Sequence, residues 1–244
     1  MSIIPQLSIV VPCYNEEKLL EKSIAAVLLL ENDVKNLEIV IVNDCSKDRS
    51  GEIAQELAKR HPQIRYFAHE RNQGKGAALR TGFAEAKGDI ICVHDADLEY
   101  DPQDLLPMYK IINAGRAEVV FGTRFLNSKE HRVLYFWHSV ANKVITLACN
   151  IFSDLNLTDI ECCHKMFRRE VIKQITIEEN RFGVEPELVS KAARLAKRDN
   201  LRIYESAVSY HGRTYAEGKK IGWKDAFRAF WVILKYNTWH RKLG

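Results

Sequence analysis

The sequence lacks an apolar run long enough to cross a membrane, which would need about 18 residues with almost no charge. Its first residues, MSIIPQ, lack the basic segment and cleavage site of a signal peptide. The net charge of +4 is too small to indicate nucleic acid as a partner. With 46% hydrophobic and 28% charged residues, the composition excludes a disordered chain. We expect a globular cytoplasmic protein without a signal peptide or transmembrane helix, and with no nucleic-acid partner.

Cysteine pairs and nucleotide-binding glycine motifs are also missing. The six cysteines include no C-x-x-C pair, and the adjacent Cys162 and Cys163 are poorly placed to bridge each other. Scattered cysteines of this kind are typical of reduced thiols in the cytosol. Neither the Walker A motif nor the dinucleotide motif G-x-G-x-x-G occurs. The sequence therefore argues against a P-loop nucleotide hydrolase and against a dinucleotide-binding enzyme.

Apolar runs and amphipathic segments alternate along the first half of the chain. Five apolar runs predict strands, at 7–13, 37–43, 64–68, 89–94 and 118–122. Helical spacing of apolar residues follows at 16–30, 49–60 and 74–86. Continuous runs of Val and Ile are typical of parallel strands that are buried on both faces. The pattern predicts a Rossmann-like, doubly wound and mostly parallel α/β sheet with helices on both faces.

The second half, from about residue 127, is less regular. Helices are predicted at 185–197 and 222–236, a strand at 201–208, and an amphipathic, aromatic-rich segment at 131–152. Eight Lys and Arg lie between Arg213 and Lys242, against two acids. Basic, aromatic-rich helices suit an anionic membrane surface, but helices packed on the sheet with one solvated face would look the same. No linker separates the halves, so we expect one domain over 1–244, with halves at about 6–126 and 127–244.

Two aspartates follow the fourth predicted strand, in the sequence HDADLE at 94–99. In doubly wound sheets, ligands bind beyond the carboxyl ends of the strands. Carboxylate oxygens are the ligands that Mg²⁺ and Mn²⁺ prefer, and such sites keep positions open for phosphate oxygens. A polar turn capped by its own aspartates would use the same residues. The motif alone leaves both interpretations open.

Three further polar segments lie at predicted strand ends or helix starts. They are PCYNE at 12–16, NDCSKD at 43–48 and NQGKG at 72–76. Tyr14 could stack on a base, Asp44 could accept hydrogen bonds from a ribose or base, and the glycines around Lys75 could hold a phosphate. Each segment also fits the cap of a following helix. Their residues alone do not decide between these functions.

Taken in order, PCYNE, NDCSKD, NQGKG, DAD and GTR (122–124) resemble the motifs of family 2 glycosyltransferases, which have the GT-A fold. Within that family the chain is similar to the polyprenyl-phosphate hexosyltransferases, which include dolichyl-phosphate mannose and glucose synthases. TDIECCHKMF at 158–167, FGVEPE at 182–187 and GRTYAEGKKI at 212–221 support the resemblance. It implies a nucleotide-sugar-binding first half and an acceptor-side second half with amphipathic helices.

The resemblance also implies roles for individual residues. It places the nucleoside against Pro12, Tyr14, Glu16, Val42 and Asp44, and a Mg²⁺ or Mn²⁺ ion on Asp95, Asp97 and Glu99. The nucleotide sugar would further meet Lys75, Ala96, Arg124, Arg213 and Lys219, and the last three would contact the donor diphosphate or the acceptor phosphate. Asp97 and Arg124 would act in catalysis, together with Asp159 and Glu185, which organise the acceptor or serve as a base. Some relatives have Gln at the position of Glu99, and Tyr is common at that of His164.

The implied reaction is an inverting, metal-dependent transfer of mannose or glucose from a GDP- or UDP-sugar to a polyprenyl phosphate. Because the second pKa of a phosphate monoester is about 6, such an acceptor needs orientation and little deprotonation. Two alternatives remain. A sugar or lipid hydroxyl in envelope polysaccharide or glycolipid synthesis would need a carboxylate base, and a sugar-nucleotide-binding subunit would show no turnover. We expect a lipid-linked acceptor and peripheral binding at the cytoplasmic face of a membrane, with or without an anchoring partner.

Overall fold

Seven strands form one sheet in the computed structural model, which describes residues 7–126, 133, 135–212 and 223–239. The strands are β1 (Leu7–Cys13), β2 (Leu37–Asn43), β3 (Ile64–Ala68), β4 (Ile90–Val93), β5 (Val119–Thr123), β6 (Lys165–Arg168) and β7 (Ile203–Ala207). They lie in the order β3-β2-β1-β4-β6-β5-β7. All pairs are parallel except those of β6, which is antiparallel to both β4 and β5. Strands from both halves of the chain therefore share one sheet.

Helices connect the strands and cover the sheet. They are α1 (Leu20–Leu28), α2 (Ser50–Arg60), α3 (Lys75–Glu85), α4 (Leu105–Asn113), α5 (Phe136–Ser153), α6 (Arg169–Ile172), α7 (Val184–Asp199) and α8 (Trp223–Asn237). Short 3-10 turns lie at Leu29–Asn32 and Pro102–Asp104. Each helix and strand predicted from periodicity is present, with ends that differ by a few residues. Within the predicted segment 131–152, residues 131, 132 and 134 lie outside the described part of the chain.

The core lies on both faces of the sheet. Alternate residues of β1 point to opposite sides, so that Val10 belongs to the core cluster that includes residues of α3, α5, α7 and α8, while Ile9 belongs to the one that includes residues of α1, α2 and α4. All seven residues of β2 are buried. Full burial of one Val or Ile side chain stabilises the fold by about 1.5–3 kcal/mol. Because both faces of these strands are buried, apolar residues are favoured at successive positions and not only at every second one. The predicted doubly wound, mostly parallel sheet with helices on both faces is confirmed.

The sequence did not reveal β6, α4 or the short helix α6. Polar residues flank the two apolar ones in β6, whose sequence is KMFR, and so hide a central strand. Lys165 is nevertheless buried, because its ammonium group donates to the carbonyls of Ile160 at 3.0 Å and Cys162 at 2.5 Å and to Glu185 at 2.6 Å. A buried cation is tolerated when its donors are satisfied in this way.

Candidate functional site

A cavity of about 830 Å³ lies at the carboxyl ends of the parallel strands. The predicted site residues that line it are Pro12, Tyr14, Glu16, Asp44, Lys75, Asp95, Ala96, Asp97, Glu99, Arg124 and Glu185. Val42 is buried in the core, and neither it nor Asp159 lines the cavity. Arg213 and Lys219 lie outside the described residues. The structure thus brings most of the predicted residues around one space, as expected for the strand ends of a doubly wound sheet.

Residues 95–99, which we call the acidic loop, follow β4 and form one wall of the cavity. Asp97 Oδ1 accepts the backbone N–H of Glu99 at 3.2 Å, and Glu99 Oε2 accepts the hydroxyl of Tyr210 at 3.1 Å. Leu98 has a φ of 60°, so the chain turns within the loop. The carboxylates of Asp95, Asp97 and Glu99 consequently line the same cavity.

The acidic loop has the ligand chemistry of a hard divalent cation without completing a metal site. Within the described residues, no three His, Cys, Asp or Glu side chains are arranged to hold a metal ion. Mg²⁺ sites commonly combine one or two carboxylates with oxygens of a bound phosphate and water, and Mn²⁺ takes similar ligands. The residues present fit a site of that kind, in which Asp95 and Asp97 would hold the ion and a phosphate-containing ligand would supply further oxygen ligands.

Lys75 links the acidic loop to α7 through buried ion pairs. Its Nζ lies 2.8 Å from Asp95 Oδ2 and 2.9 Å from Glu185 Oε1, and Glu185 Oε2 lies 2.6 Å from Lys165 Nζ. Burial alone would lower the pKa of Lys75, but the charges of Asp95 and Glu185 outweigh it and hold that pKa well above its usual range. Lys75 is therefore a fixed cation beside the acidic loop, and Glu185 lies between two lysines.

Asp44 is buried and organises the loop before α3. Its carboxylate accepts the backbone N–H groups of Gln73 at 2.9 Å and Gly74 at 2.6 Å. Asn72 Nδ2 donates to it at 2.9 Å, and His69 Nδ1 lies 2.7 Å away. A carboxylate offers about four lone-pair positions, and the protein already engages most of them. Asp44 also lines the cavity. Its contact with a nucleoside stays a prediction.

The glycines around Lys75 allow close packing of two backbone segments. Gly74 has a φ of 98°, and a Cβ on Gly76 would lie 1.9 Å from the carbonyl oxygen of Glu179. The N–H groups of Gly76 and Ala77 donate to the carbonyl of Asn180 at 2.9 and 3.3 Å. The backbone of residues 179–180 thus occupies the helix start where the sequence allowed a phosphate. Lys75 contributes its side chain to the cavity instead.

Arg124 and Asp159 form a buried ion pair after β5. Arg124 Nε and Nη2 donate to Asp159 at 2.6 and 2.8 Å, and the backbone N–H groups of Arg124 and Glu161 reach the same carboxylate at 3.2 and 3.1 Å. Burial alone would raise the pKa of Asp159, but the charge of Arg124 holds it below its usual range. Asp159 does not line the cavity, and its role as a base or acceptor contact stays a prediction. It holds Arg124, whose guanidinium lies 5.0 Å from the ring centre of Tyr210.

A buried histidine pair lies behind the acidic loop. His94 Nδ1 lies 3.0 Å from His164 Nε2, and the other ring nitrogen of His94 lies 3.3 Å from Ser23 Oγ. Burial lowers the pKa of His94 to about 4 and that of His164 well below its usual range. Both rings are therefore neutral at pH 7 and connect the end of β4 to the start of β6 by hydrogen bonding.

Several cavity residues were not predicted as site residues. They are Asn72, Tyr100, Asn142, Glu161, Arg181 and Tyr210, among others. Glu161 lies within the motif at 158–167 and Arg181 directly precedes that at 182–187, so those motifs were the available signal. Tyr100 and Tyr210 pack with ring centres 5.1 Å apart although they are far apart in the sequence. No local pattern could have connected them.

Helices α5 and α8 pack against each other beside the cavity and carry exposed apolar side chains. We call this set the apolar face; its members are Phe136, Trp137, Val144, Leu147, Ile151, Phe227, Phe230 and Trp231. His138, Asn142 and Ile145 of α5 line the cavity, and so does Trp137 of the apolar face. One side of α5 therefore faces the cavity and another presents apolar groups to solvent. Among the described residues, none of the helices has the length and hydropathy needed to span a bilayer.

Comparison with known proteins identifies the family. A model described as glycosyl transferase family 2 matches residues 8–176. The chain is 30% identical, over 84% of its length, to a dolichyl-phosphate beta-glucosyltransferase of Trichomonas vaginalis, of which it covers 65%. It is 29% identical, over 88% of its length, to an undecaprenyl-phosphate 4-deoxy-4-formamido-L-arabinose transferase of Photorhabdus laumondii, of which it covers 63%. The chain thus spans less than two thirds of the length of both relatives.

A solved structure shows the same architecture. Glucosyl-3-phosphoglycerate synthase from Mycobacterium tuberculosis, in complex with Mn²⁺, uridine diphosphate and phosphoglyceric acid, superposes with a TM-score of 0.72 at 19% identity. The match covers 96% of this chain and 79% of that one, and at this identity it shows the fold alone. The family model, in contrast, covers most of the chain, including the acidic loop, Lys75 and Arg124. The chain belongs to glycosyl transferase family 2 and has the GT-A fold of its glycosyltransferases.

Proposed function

We propose that the protein transfers a hexose from a nucleotide diphosphate sugar to a polyprenyl phosphate at a membrane surface. The observation that carries this proposal is a cavity whose wall combines three features: the acidic loop, the cations Lys75 and Arg124, and helix α5, which bears part of the apolar face. The curated relatives are named for transfer to dolichyl phosphate and undecaprenyl phosphate. Both acceptors join an anionic phosphate to a long apolar chain, which matches the two chemistries found together here.

The donor side is supported by the charges around the acidic loop. Asp95 and Asp97 fit the carboxylate ligands of Mg²⁺ or Mn²⁺, and such an ion, when bound, would stabilise the negative charge of a leaving nucleoside diphosphate. Lys75 and Arg124 line the same cavity and are held in place by Glu185 and Asp159. Cations that are positioned before the reaction stabilise developing charge without reorganisation. These residues would therefore bind the diphosphate and assist its departure.

The acceptor side favours a phosphate over a hydroxyl. A hydroxyl acceptor needs a carboxylate placed to remove its proton. Asp159 is engaged by Arg124 outside the cavity, and Glu185 lies between Lys75 and Lys165. Neither of the two carboxylates predicted as a base is therefore placed to remove a proton from an acceptor. A phosphate monoester is largely a dianion at neutral pH and needs only to be oriented, which the cavity cations would do.

Ligand binding in two stages tests the proposal. Donors that bind the native protein raise its melting temperature according to RT ln(1 + [L]/Kd), so UDP-glucose and GDP-mannose with Mn²⁺ should give different shifts. With the better donor present, a polyprenyl phosphate in detergent should be glycosylated, and a polyprenol of the same chain length should not. Transfer to the alcohol alone would support a hydroxyl acceptor, and donor binding without any transfer would indicate a binding subunit. Either result would contradict the proposal.

Acidic substitutions on the apolar face should weaken membrane binding. Leu147 and Ile151 are 60% and 68% exposed, and they lie on α5 outside the cavity. Changing both to Glu removes apolar burial and adds two charges that anionic lipids repel, so we expect the fraction bound to anionic vesicles to fall at least about 10-fold. Cosedimentation with liposomes measures it.

The matched control for this prediction is Gln55→Glu, which adds a negative charge to the exposed surface of α2. It should leave vesicle binding almost unchanged. Equal binding by the wild type and the double variant at α5 would show that the apolar face does not contact lipid. The melting temperature of each variant should stay close to that of the wild type, because both substituted side chains on α5 are exposed.

A further inference from the structure

Glu161 is the acid of the cavity wall that the proposed reaction leaves without a role. It follows the Asp159 turn, lines the cavity and is partly buried. Its Oε1 is inaccessible to solvent and has no hydrogen-bond partner. The neighbouring carboxylates, in contrast, form ion pairs: Asp159 with Arg124, and Glu185 with Lys75 and Lys165. A carboxylate oxygen that is buried without a partner is costly, so this environment favours the neutral, protonated form of Glu161.

Charged groups from four parts of the fold act on Glu161. Burial and the negative charges of Glu185 on α7 and of Asp159 raise its pKa, Lys165 on β6 and Arg124 after β5 oppose the rise, and the net result is a pKa of about 7. At neutral pH, therefore, about half of the molecules carry a proton on this carboxyl group. A neutral carboxyl group has an O–H donor, which a carboxylate lacks.

We propose that Glu161, in its protonated form, binds the acceptor by donating a hydrogen bond to an oxygen of its phosphate group. This inference rests on the proposed function. An ionised Glu161 would repel a phosphate dianion inside the cavity, whereas the neutral acid can share its proton with it beside Arg124. An arriving dianion also favours the protonated form, because a nearby negative charge raises the pKa of a carboxyl group. No covalent bond of Glu161 is broken, and the residue selects and orients the acceptor.

The proposal fixes the pH dependence of acceptor binding. Glu161 is protonated below its pKa, so its hydrogen bond is present at low pH and lost as the pH rises through about 7. One unit above that value only about a tenth of the molecules are protonated, so the KM for polyprenyl phosphate should be about 10-fold higher there than at acidic pH, where Glu161 is fully protonated. Glu161→Gln carries an amide N–H donor at every pH. Its KM should therefore stay low on the alkaline side, with kcat close to that of the wild type.

The test measures the KM and kcat for polyprenyl phosphate in detergent micelles, as a function of pH, with the full chain. Wild type, Glu161→Gln, Glu161→Ala and the control Glu170→Gln, an exposed acid on α6, are compared. The Gln variant should lose the alkaline rise in KM, and the control should keep it. The Ala variant, which has no donor, should show a KM raised about 10-fold or more at acidic pH, as for one hydrogen bond to a charged group.

Three results would overturn the inference. A Gln variant that loses kcat at all pH values would identify Glu161 as a base. If Glu161→Gln kept the wild-type dependence of KM on pH, the proton of Glu161 would not be used in acceptor binding, while the proposed function would stand. No transfer by the wild type to any polyprenyl phosphate would contradict the proposed function and the inference together. Donor-induced shifts in melting temperature, equal in all variants, verify that the folded donor site is intact.

Discussion

Asp97→Ala is expected to lower the rate of sugar transfer about 1,000-fold, because a bound metal ion contributes several kcal/mol to the transition state and each 1.36 kcal/mol is a factor of ten. Asp97 lies in the middle of the acidic loop and lines the cavity. Its neighbour Asp95 retains the ion pair with Lys75 and cannot by itself replace the second carboxylate. Because Asp97 is only partly buried, the substitution should change the stability of the fold little.

The affinity for Mn²⁺ is measured by titrating the protein with the ion in the presence of a nucleoside diphosphate. Electron paramagnetic resonance reports the concentration of the free ion at each step. The wild type should bind the ion and Asp97→Ala should not. Asp101→Asn is the matched control, since Asp101 is an exposed acid that only caps the turn Pro102–Asp104. It should retain both binding and transfer. Unchanged Mn²⁺ affinity in Asp97→Ala would remove Asp97 from the metal site.

Asp159→Asn is expected to destabilise the fold by about 3–5 kcal/mol, because it leaves the buried guanidinium of Arg124 without its counter-charge. The side chains of Arg124 and Asp159 are 6% and 0% exposed. The amide preserves the shape of the carboxyl group, so the loss reports the charge rather than a cavity. Urea denaturation, monitored by circular dichroism, measures the free energy of unfolding.

An exposed ion pair provides the control for Asp159→Asn. Arg169 and Asp89 lie 2.5 Å apart with side chains that are 41% and 47% exposed. Asp89→Asn should cost less than about 1 kcal/mol, as is usual for surface pairs. If Asp159→Asn retained wild-type stability but lost turnover, Asp159 would be acting on the substrate, and its role as a support of Arg124 would be contradicted.

The depressed pKa of Asp159 also sets the direction of the pH effect on stability. A carboxyl group whose pKa is lower in the folded state stabilises the fold fully above its unfolded pKa, and that stabilisation is lost as the pH falls through the folded value. The difference in unfolding free energy between wild type and Asp159→Asn should therefore be largest near neutrality. It should shrink under acidic conditions.

Much of the fold could be predicted because its main strands are rich in consecutive apolar residues. The run at 37–43 is buried at every position, and its four consecutive apolar residues, Ile39–Val42, are enough to indicate a buried strand. The short strand β6 behaves differently, since Lys165 enters the core only because carbonyls and Glu185 satisfy its ammonium group. Those partners lie outside the strand, so no local pattern reveals that a lysine can be buried there. The antiparallel position of β6 between β4 and β5 was missed for the same reason.

Site residues could be predicted from the sequence where polar side chains directly follow a predicted strand. Asp95, Asp97 and Arg124 each come just after a strand, and all three line the cavity. The partners of a side chain were harder to predict, because Asp159 bonds to Arg124 and does not itself line the cavity. The environment of Glu161 depends on groups from β5, β6 and α7, which are distant in sequence. Only the assembled fold shows how they combine.

The most direct test of the proposed function is the transfer of a radiolabelled hexose from UDP-glucose or GDP-mannose to a polyprenyl phosphate, measured by extraction into organic solvent. With Mn²⁺ or Mg²⁺ present, the wild type should move the label into the lipid phase with one of the two donors. EDTA and Asp97→Ala should each abolish that transfer. Label that stays in the aqueous phase with both donors, or that enters the lipid equally in EDTA, would contradict metal-dependent transfer to a lipid phosphate.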